Sequence, residues 1–316
     1  MRRPSWVLSA LAGLCLLIIA VFMFSGVRGD WGFVLQLRAA KLATIVLVAH
    51  AIGVSTVLFQ TLSGNRILTP AVMGFDALFL MLQTALFLLL GALQVTSLSG
   101  WMMFLLQAGV MGVFASLLYR QLFTGSGQSL HLMILVGIVL GTLFRSLASF
   151  LQSLIDPNEF AVLQSRLFAN FNQSDPQALG VAAVVITLAS VLALRRVRIF
   201  DVLGLGRERA INLGLDYRRS VTQSLGLIAV FVSVSTALVG PVTFFGLLVA
   251  HLAYLLLPTH RHAVLLPAAS MLAIVALVSG QFVLERVFAF GTALSMLIEF
   301  FGGILFLILL LRGASR

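Results

Sequence analysis

Long apolar runs alternate with short polar connectors along the whole chain. A helix needs roughly 20 predominantly apolar residues to cross a bilayer. Ten runs approach that length: residues 5–25, 39–62, 70–92, 101–119, 131–152, 178–194, 220–239, 242–257, 267–284 and 292–311. The pattern predicts an all-α, polytopic membrane protein with about ten transmembrane helices, a single transmembrane domain over 1–316. The first run, Trp6–Phe24, follows Arg2 and Arg3 and is of spanning length with no A-x-A-like site after it, so it reads as an uncleaved first helix. Only Gly240-Pro241 separates the seventh and eighth runs, a spacing that also fits one long broken helix. The connector 156–175 holds an amphipathic piece, Phe160–Phe168, suited to lie at the membrane surface or to re-enter protein.

The longest strongly charged connector is Arg195–Arg219, RRVRIFDVLGLGRERAINLGLDYRR. It carries seven arginines against Asp201, Glu208 and Asp216. Within it Arg207–Leu213 reads as a short helix, with Gly206 just before it and Gly214 just after, at C-cap-like spacing. Ala210, Ile211 and Leu213 set small apolar positions among the charges of Arg207, Glu208 and Arg209. Topogenic arginines alone would explain the charge of this loop. They do not explain its length or the punctuated helix, which has the form of a projection that a soluble partner could grip.

Composition sharpens the picture. The chain is 60% hydrophobic and 9% charged, against about 25% charged for soluble domains. Its net charge of +10 comes from arginines scattered between apolar runs. That distribution is the positive-inside signal and argues against nucleic acid as a partner. With the N-terminus in the cytoplasm and sides alternating, the cytoplasmic set holds Arg2, Arg3, Arg66, Arg120, the seven loop arginines, Arg261, Arg312 and Arg316, fourteen of the twenty basic residues. The bias predicts cytoplasmic N- and C-termini. A single cysteine, Cys15, rules out an internal disulfide and a thiolate cluster.

Chemistry-bearing residues inside the runs are few: His50, Asp76, Arg145, His251 and Glu299. No run places two carboxylates at helical spacing, which argues mildly against an ion-coupled carrier with a proton relay. His50 and His251 read as packed, hydrogen-bonded residues. His260-Arg261-His262 offers an H-x-H pair with no third ligand near, and reads as an exposed turn. No G-x-x-x-x-G-K-[ST] phosphate loop is present, so the chain does not hydrolyse ATP by that route. Among the glycines, Gly137-x-x-x-Gly141 has the spacing that lets helices approach closely, within the chain or against a second subunit.

Five stretches, in order from the second run to the C-terminus, together resemble the FecCD family, the membrane subunits of iron-siderophore and vitamin B12 uptake ABC transporters. Phe59–Leu78, FQTLSGNRILTPAVMGFDAL, is similar to Q-x-x-x-x-N-P-L-A-x-P-x-x-x-G through Gln60, Asn65, Leu68, Pro70 and Gly74. LGLGRERAINLGLDYRR resembles the family's coupling segment L-x-L-G-x-x-x-A-x-x-L-G-V. GPVTFFGLLVAHLAYLL, which contains Gly246 and His251, is similar to G-x-I-x-F-I-G-L-I-V-P-H-I-A-R. HRHAVLLP resembles D-H-R-x-L-L-P, and GGILFLILLLR resembles G-x-P-F-F-L-x-L-L-R. The departures are specific. Arg66 stands where the family has Pro, Ala250 where it has Pro, Tyr254 where it has Arg, and Ile304 where it has a late Pro. The stretch VAHLAYLL…GQFVLERVF…IEFFGGILF resembles a branch that carries ferric siderophores, catecholate types among them.

The resemblance implies an ABC importer permease of the vitamin B12/siderophore type in the inner (cytoplasmic) membrane, not an enzyme. It implies a second permease subunit (a copy or a paralogue), two cytoplasmic ATPase subunits that hold the ATP, and a periplasmic or lipid-anchored substrate-binding protein. No cofactor or metal is expected in this chain itself. Residues 206–214 would couple to the ATPase, and Ser126, Gly127, Gln128 and Ser129 would lie near the cytoplasmic gate. Arg38, Lys41 and Arg286 would meet acidic residues of the binding protein. The fifth and tenth helices would line the path. The other readings are an ion-coupled secondary transporter, an intramembrane enzyme, and an ABC permease for haem, vitamin B12 or a metal ion such as zinc or manganese.

Overall fold

The protein is described by a computed structural model over residues 4–26, 30–123, 130–172, 175–287 and 293–313. Among these residues fourteen α-helices form. Each of the ten apolar runs contributes one: α1 (Pro4–Phe24), α2 (Trp31–Ser63), α3 (Phe75–Leu90), α5 (Gly100–Phe123), α6 (Leu130–Gln152), α8 (Pro176–Arg195), α11 (Tyr217–Val239), α12 (Phe245–Leu256), α13 (His262–Arg286) and α14 (Leu294–Gly313). The connectors supply four short ones: α4 (Ala92–Ser97), α7 (Pro157–Leu167), α9 (Val197–Leu203) and α10 (Arg207–Asn212). Among the described residues seven of the ten qualify by length and hydropathy to cross a membrane on their own, and α3 and α12 fall short of spanning length.

The short ones among the ten have a physical cause. The expected run 70–92 opens as a 3-10 turn, Pro70–Met73, and breaks at Gly74, whose φ of 87° suits glycine. The run 242–257 becomes helix only from Phe245, because Gly240 (φ 102°) and Pro241 end α11 and the chain stays irregular to Phe244. The seventh and eighth runs are therefore two helices. Irregular backbone within membrane depth is tolerated where protein covers it. Here Ile52, Ser55, Thr56, Val232 and Ser235 line one small cleft with both breaks, residues 69–71 and 242–243.

Helix α2 is the axis of the fold. From Val48 to Gln60 it is buried on nearly every side, the mark of an interior helix. It packs chiefly against α13 and α11, with α12, α8, α1 and α9 around it. Gly53 permits the close crossing with α13, since an added Cβ would lie 3.0 Å from the Ala269 carbonyl oxygen. On α8 a stripe of small and branched residues (Ala178, Ala182, Ile186, Ala189 and Ala193) faces inward, while Val184, Leu188 and Leu192 face out. Small residues on the packed side allow helix contact where apolar burial gives little drive. Gly137 and Gly141 serve the same end inside this chain. An added Cβ on Gly137 would sit 2.8 Å from Met73 Cα, so this pair packs on the Met73–Gly74 turn and is not a free face for a second subunit. The piece after α7 does re-enter protein: Ala169 and Phe171 are buried, and the Asn170 N–H donates to the Val239 carbonyl at 2.8 Å.

Scarce acidic residues are placed where helices need them. Eight of the ten sit at helix N-termini, their own or a neighbour's, where a carboxylate satisfies free N–H groups and the helix dipole. Asp30, Asp156, Asp175 and Asp216 cap the helices that follow them. Asp76 and Glu208 lie in first turns of α3 and α10. Glu159 accepts the Ala92 N–H of α4, and Asp201 accepts the His262 N–H of α13. Glu285 and Glu299 are the two left over.

Candidate functional site

The arginine-rich connector folds as two short helices. Gly206 takes φ 94°, ψ 166°, a conformation that suits glycine, and turns the chain from α9 into α10. At the other end the Gly214 N–H donates to the Ile211 carbonyl and the Leu215 N–H to the Ala210 carbonyl. With Gly214 at φ 81°, this pair of bonds is the Schellman ending that the glycine spacing anticipates. The helix ends at Asn212, one residue earlier than expected. Arg207, Glu208 and Arg209 are exposed, and so are Ile211 at 49% and Leu213 at 64%. Ala210 is different. It is fully buried within this chain alone, so it anchors α10 to its own scaffold and is not one of the contacts offered outward. That corrects the expectation of Ala210 as part of the gripped surface.

Two lone polar residues hold this connector to the membrane helices. Asp201 on α9 accepts, at Oδ1, both the backbone N–H and the Nδ1–H of His262, each at 2.7 Å. His262 is the first residue of α13 and is 4% exposed. Its Nε2 lies 2.7 Å from Thr61 Oγ1, near the end of α2. Thr61 Oγ1 is also 2.9 Å from the Val57 carbonyl. Its single proton goes either to Val57, with a doubly protonated imidazole donating to both sides, or to Nε2 of a neutral ring. In both arrangements Nδ1–H donates to Asp201. One side chain thus joins α9, α13 and α2. The reading of 260–262 as an exposed turn holds for His260 and Arg261 and fails for His262, because Asp201 caps the helix there. Among the described residues no group of three or more His, Cys, Asp or Glu could hold a metal. On the other side of the connector, the Arg196 guanidinium donates to Gln223 of α11.

The motif residues at the end of α2 build the neighbouring turn. Gln60 is buried and its Nε2 donates to the Arg66 carbonyl at 2.7 Å. Asn65 Oδ1 accepts the Ile67 N–H in an Asx turn, and Pro70 opens the 3-10 turn that Gly74 closes. Gly246 lies against α2: an added Cβ would collide with Thr56 Oγ1. The departures at 66 and 254 meet in space. The Arg66 guanidinium stacks 4.6 Å above the Tyr254 ring, a cation–π contact that ties the turn to α12. His251 is partly exposed on the same helix, whereas His50 bridges Ser270 and Ser190 at 2.7 and 2.8 Å, as a packed histidine should.

At the opposite end of the bundle the structure brings Arg38, Lys41 and Arg286 together, and each has work inside the chain. Arg38 Nη1 donates to the carbonyls of Phe22, Met23 and Ser25, at the C-terminus of α1. Arg286 Nη2 donates to the Ser25 carbonyl. Cations here satisfy free carbonyls and the negative end of the helix dipole. Lys41 pairs with Glu285 at 2.6 Å, and Gln281 bridges Glu285 to Asn172. Both partners of that pair are mostly buried. Sequence spacing signals the cluster but not its carbonyl partners. Ser126, Gly127, Gln128 and Ser129 lie outside the described residues.

The comparisons with known proteins agree with this architecture. The model of the FecCD transport family matches residues 17–312. The chain is 45% identical over 310 residues to the petrobactin import system permease protein YclO of Bacillus subtilis, covering 98% of each. It is 36% identical over 279 residues to the petrobactin import system permease protein FatC of Bacillus anthracis, covering 88% of this chain and 79% of that one. Among solved structures, an inward-facing transporter described as metal-chelate type superposes with a TM-score of 0.85 at 21% identity, covering 98% of this chain and 100% of that one, which is a likeness of fold. This multi-span, all-helical chain belongs to the FecCD transport family.

Proposed function

We propose that this chain is the permease subunit of an ATP-binding-cassette importer that carries a ferric siderophore across the cytoplasmic membrane. The observation that supports this most is end-to-end similarity, at 45% identity, to a petrobactin permease. The geometry supports the coupling part of the reading. A two-helix connector packs on α2, α11 and α13, its buried Ala210 fixes it, and its exposed Ile211 and Leu213 offer apolar contact among charges. An ATPase subunit that holds the ATP would seat there, and ATP-driven closure of two such motors would move α2 and α13 through His262. A second permease subunit completes the path, and a periplasmic or lipid-anchored binding protein delivers the chelate at the Arg38–Lys41–Arg286 end. The termini and the arginine-rich connector face the cytoplasm, as the charge bias favours. Co-purification tests the assembly: the chain should capture an ATPase subunit and a second permease copy or paralogue. Replacing exposed Leu213 by Asp should release the ATPase alone, and undiminished capture by that variant would reject this seat.

A further inference from the structure

The cleft between the two backbone breaks has the lining of an ion site. It lies where the turn 69–71 and the irregular stretch 242–243 meet α2, α3 and α11. Its volume is about 30 Å³, room for one or two water-sized occupants. Its polar lining is six hydroxyl side chains and the carboxylate of Asp76, oxygen without nitrogen. The protons of three of those hydroxyls are committed. Ser55 Oγ donates to the Ile52 carbonyl and Ser235 Oγ to the Val232 carbonyl, each at 3.1 Å and each back into its own helix. Thr243 donates to Asp76. Lone pairs are what these groups have left for the cleft. Asp76 Oδ2 is buried and accepts no hydrogen bond among the described residues. Arg145 attracts Asp76 and Glu299 repels it, but neither makes an ion pair among the described residues. A buried carboxylate oxygen without a contact partner is costly. The place of Asp76 in the first turn of α3 offsets part of that cost through the helix dipole. It gives Oδ2 no group to touch.

We propose that this cleft binds a single alkali cation, sodium or potassium, which contacts Asp76 Oδ2 and the surrounding hydroxyls and clamps the two breaks together. Hard cations take oxygen ligands, and interrupted membrane helices are a setting in which transport proteins hold such ions. One carboxylate balances one monovalent charge, whereas a divalent ion would leave an excess charge buried. The N-terminus of α3 carries about half a positive charge, which opposes a cation, and the full negative charge in contact outweighs it. The ion is held, not carried. It joins the start of α3 to α2, α11 and the start of α12, and so steadies the irregular backbone before Gly74 and after Gly240. The site stands apart from the proposed permease function.

Thermal stability of the full chain in detergent tests the site, in sodium, potassium or N-methyl-D-glucamine chloride at equal ionic strength. The melting temperature should rise with an alkali cation over the organic one and then saturate, and the more effective ion identifies the occupant. Binding of that ion, followed with radiolabelled sodium or with rubidium in place of potassium, should saturate at one per chain. Asp76→Asn keeps the shape, removes the charge and should abolish both responses. Ser235→Ala should raise the half-saturating concentration roughly tenfold, the loss of one oxygen contact to a charge, while melting in the organic cation stays at the wild-type value. Equal melting in the three salts would overturn the inference and leave a water molecule between Asp76 and the hydroxyls. So would an ion response that Asp76→Asn leaves intact or, where that variant does not fold, one that Ser235→Ala leaves intact. Failure of the permease reading would not touch this result, because neither substrate nor ATPase enters the assay.

Discussion

Removing the Asp201 carboxylate should uncouple the arginine-rich connector from the membrane helices. The structure gives the size of the effect. Asp201 Oδ1 accepts two bonds at 2.7 Å, from the backbone N–H and the Nδ1–H of His262. Hydrogen bonds to a charged group contribute about 1.5–3 kcal/mol each, and a carboxylate at a helix N-terminus adds roughly 0.3–1 kcal/mol. The Asp201 side chain is 34% exposed, so water replaces part of what is lost and the total is discounted to about 2–3 kcal/mol. Asp201→Ala should therefore raise local opening at the start of α13 by about 30- to 150-fold at 1.36 kcal/mol per factor of ten. Amide hydrogen exchange of His262–Leu265 reads this directly. Asp201→Asn keeps an acceptor without the charge and should give a much smaller change. In the assembled transporter Asp201→Ala should lower substrate imported per ATP hydrolysed while the ATPase still binds. Unchanged exchange over 262–265, together with unchanged coupling, would refute the reasoning.

The burial of Ala210 separates two neighbouring substitutions. Ala210→Asp places a charge inside this chain and should destabilise the connector itself, seen as a fall in thermal stability of the isolated permease, whereas Ile211→Asp should leave that stability intact and weaken only ATPase binding. At the other end, Arg38→Glu removes three bonds to carbonyls at the end of α1 and sets a carboxylate among them. It should cost about 2–4 kcal/mol of local stability, read as faster proteolysis after α1. A variant that resists proteolysis like the wild type but no longer docks the binding protein would show that Arg38 faces outward.

The helices were legible because apolar runs of spanning length are local. Gly206 and Gly214 bounded α10 for a similar reason, since positive φ is a property of single residues. What sequence could not show depends on pairs far apart in the chain. Thr61, Asp201 and His262 are three isolated polar residues in sequence, and only the packing of α2, α9 and α13 joins them. The free N–H at the start of α13 was the available signal, because a helix entering the membrane needs a cap and none precedes His262 in its own loop. The resemblance gives Arg38 an acidic partner on the binding protein, and the sequence holds no sign of the helix carbonyls, sixteen residues and fewer away, to which it donates. Arg66 and Tyr254 read as two separate departures from the family pattern, and their stacking makes them one exchange. The half-length of α12 was hidden because Val242–Phe244 is as apolar as the helix it precedes, and hydropathy does not register a broken backbone.

The central claim is that this chain passes a ferric siderophore by the work of a separate ATPase. The direct measurement is uptake of a ferric siderophore into proteoliposomes holding the permease, its ATPase and its binding protein, with all ion gradients collapsed. The account predicts import that requires ATP on the connector side, stops without the ATPase, and persists without a gradient. Import driven by an ion gradient through the permease alone would contradict it.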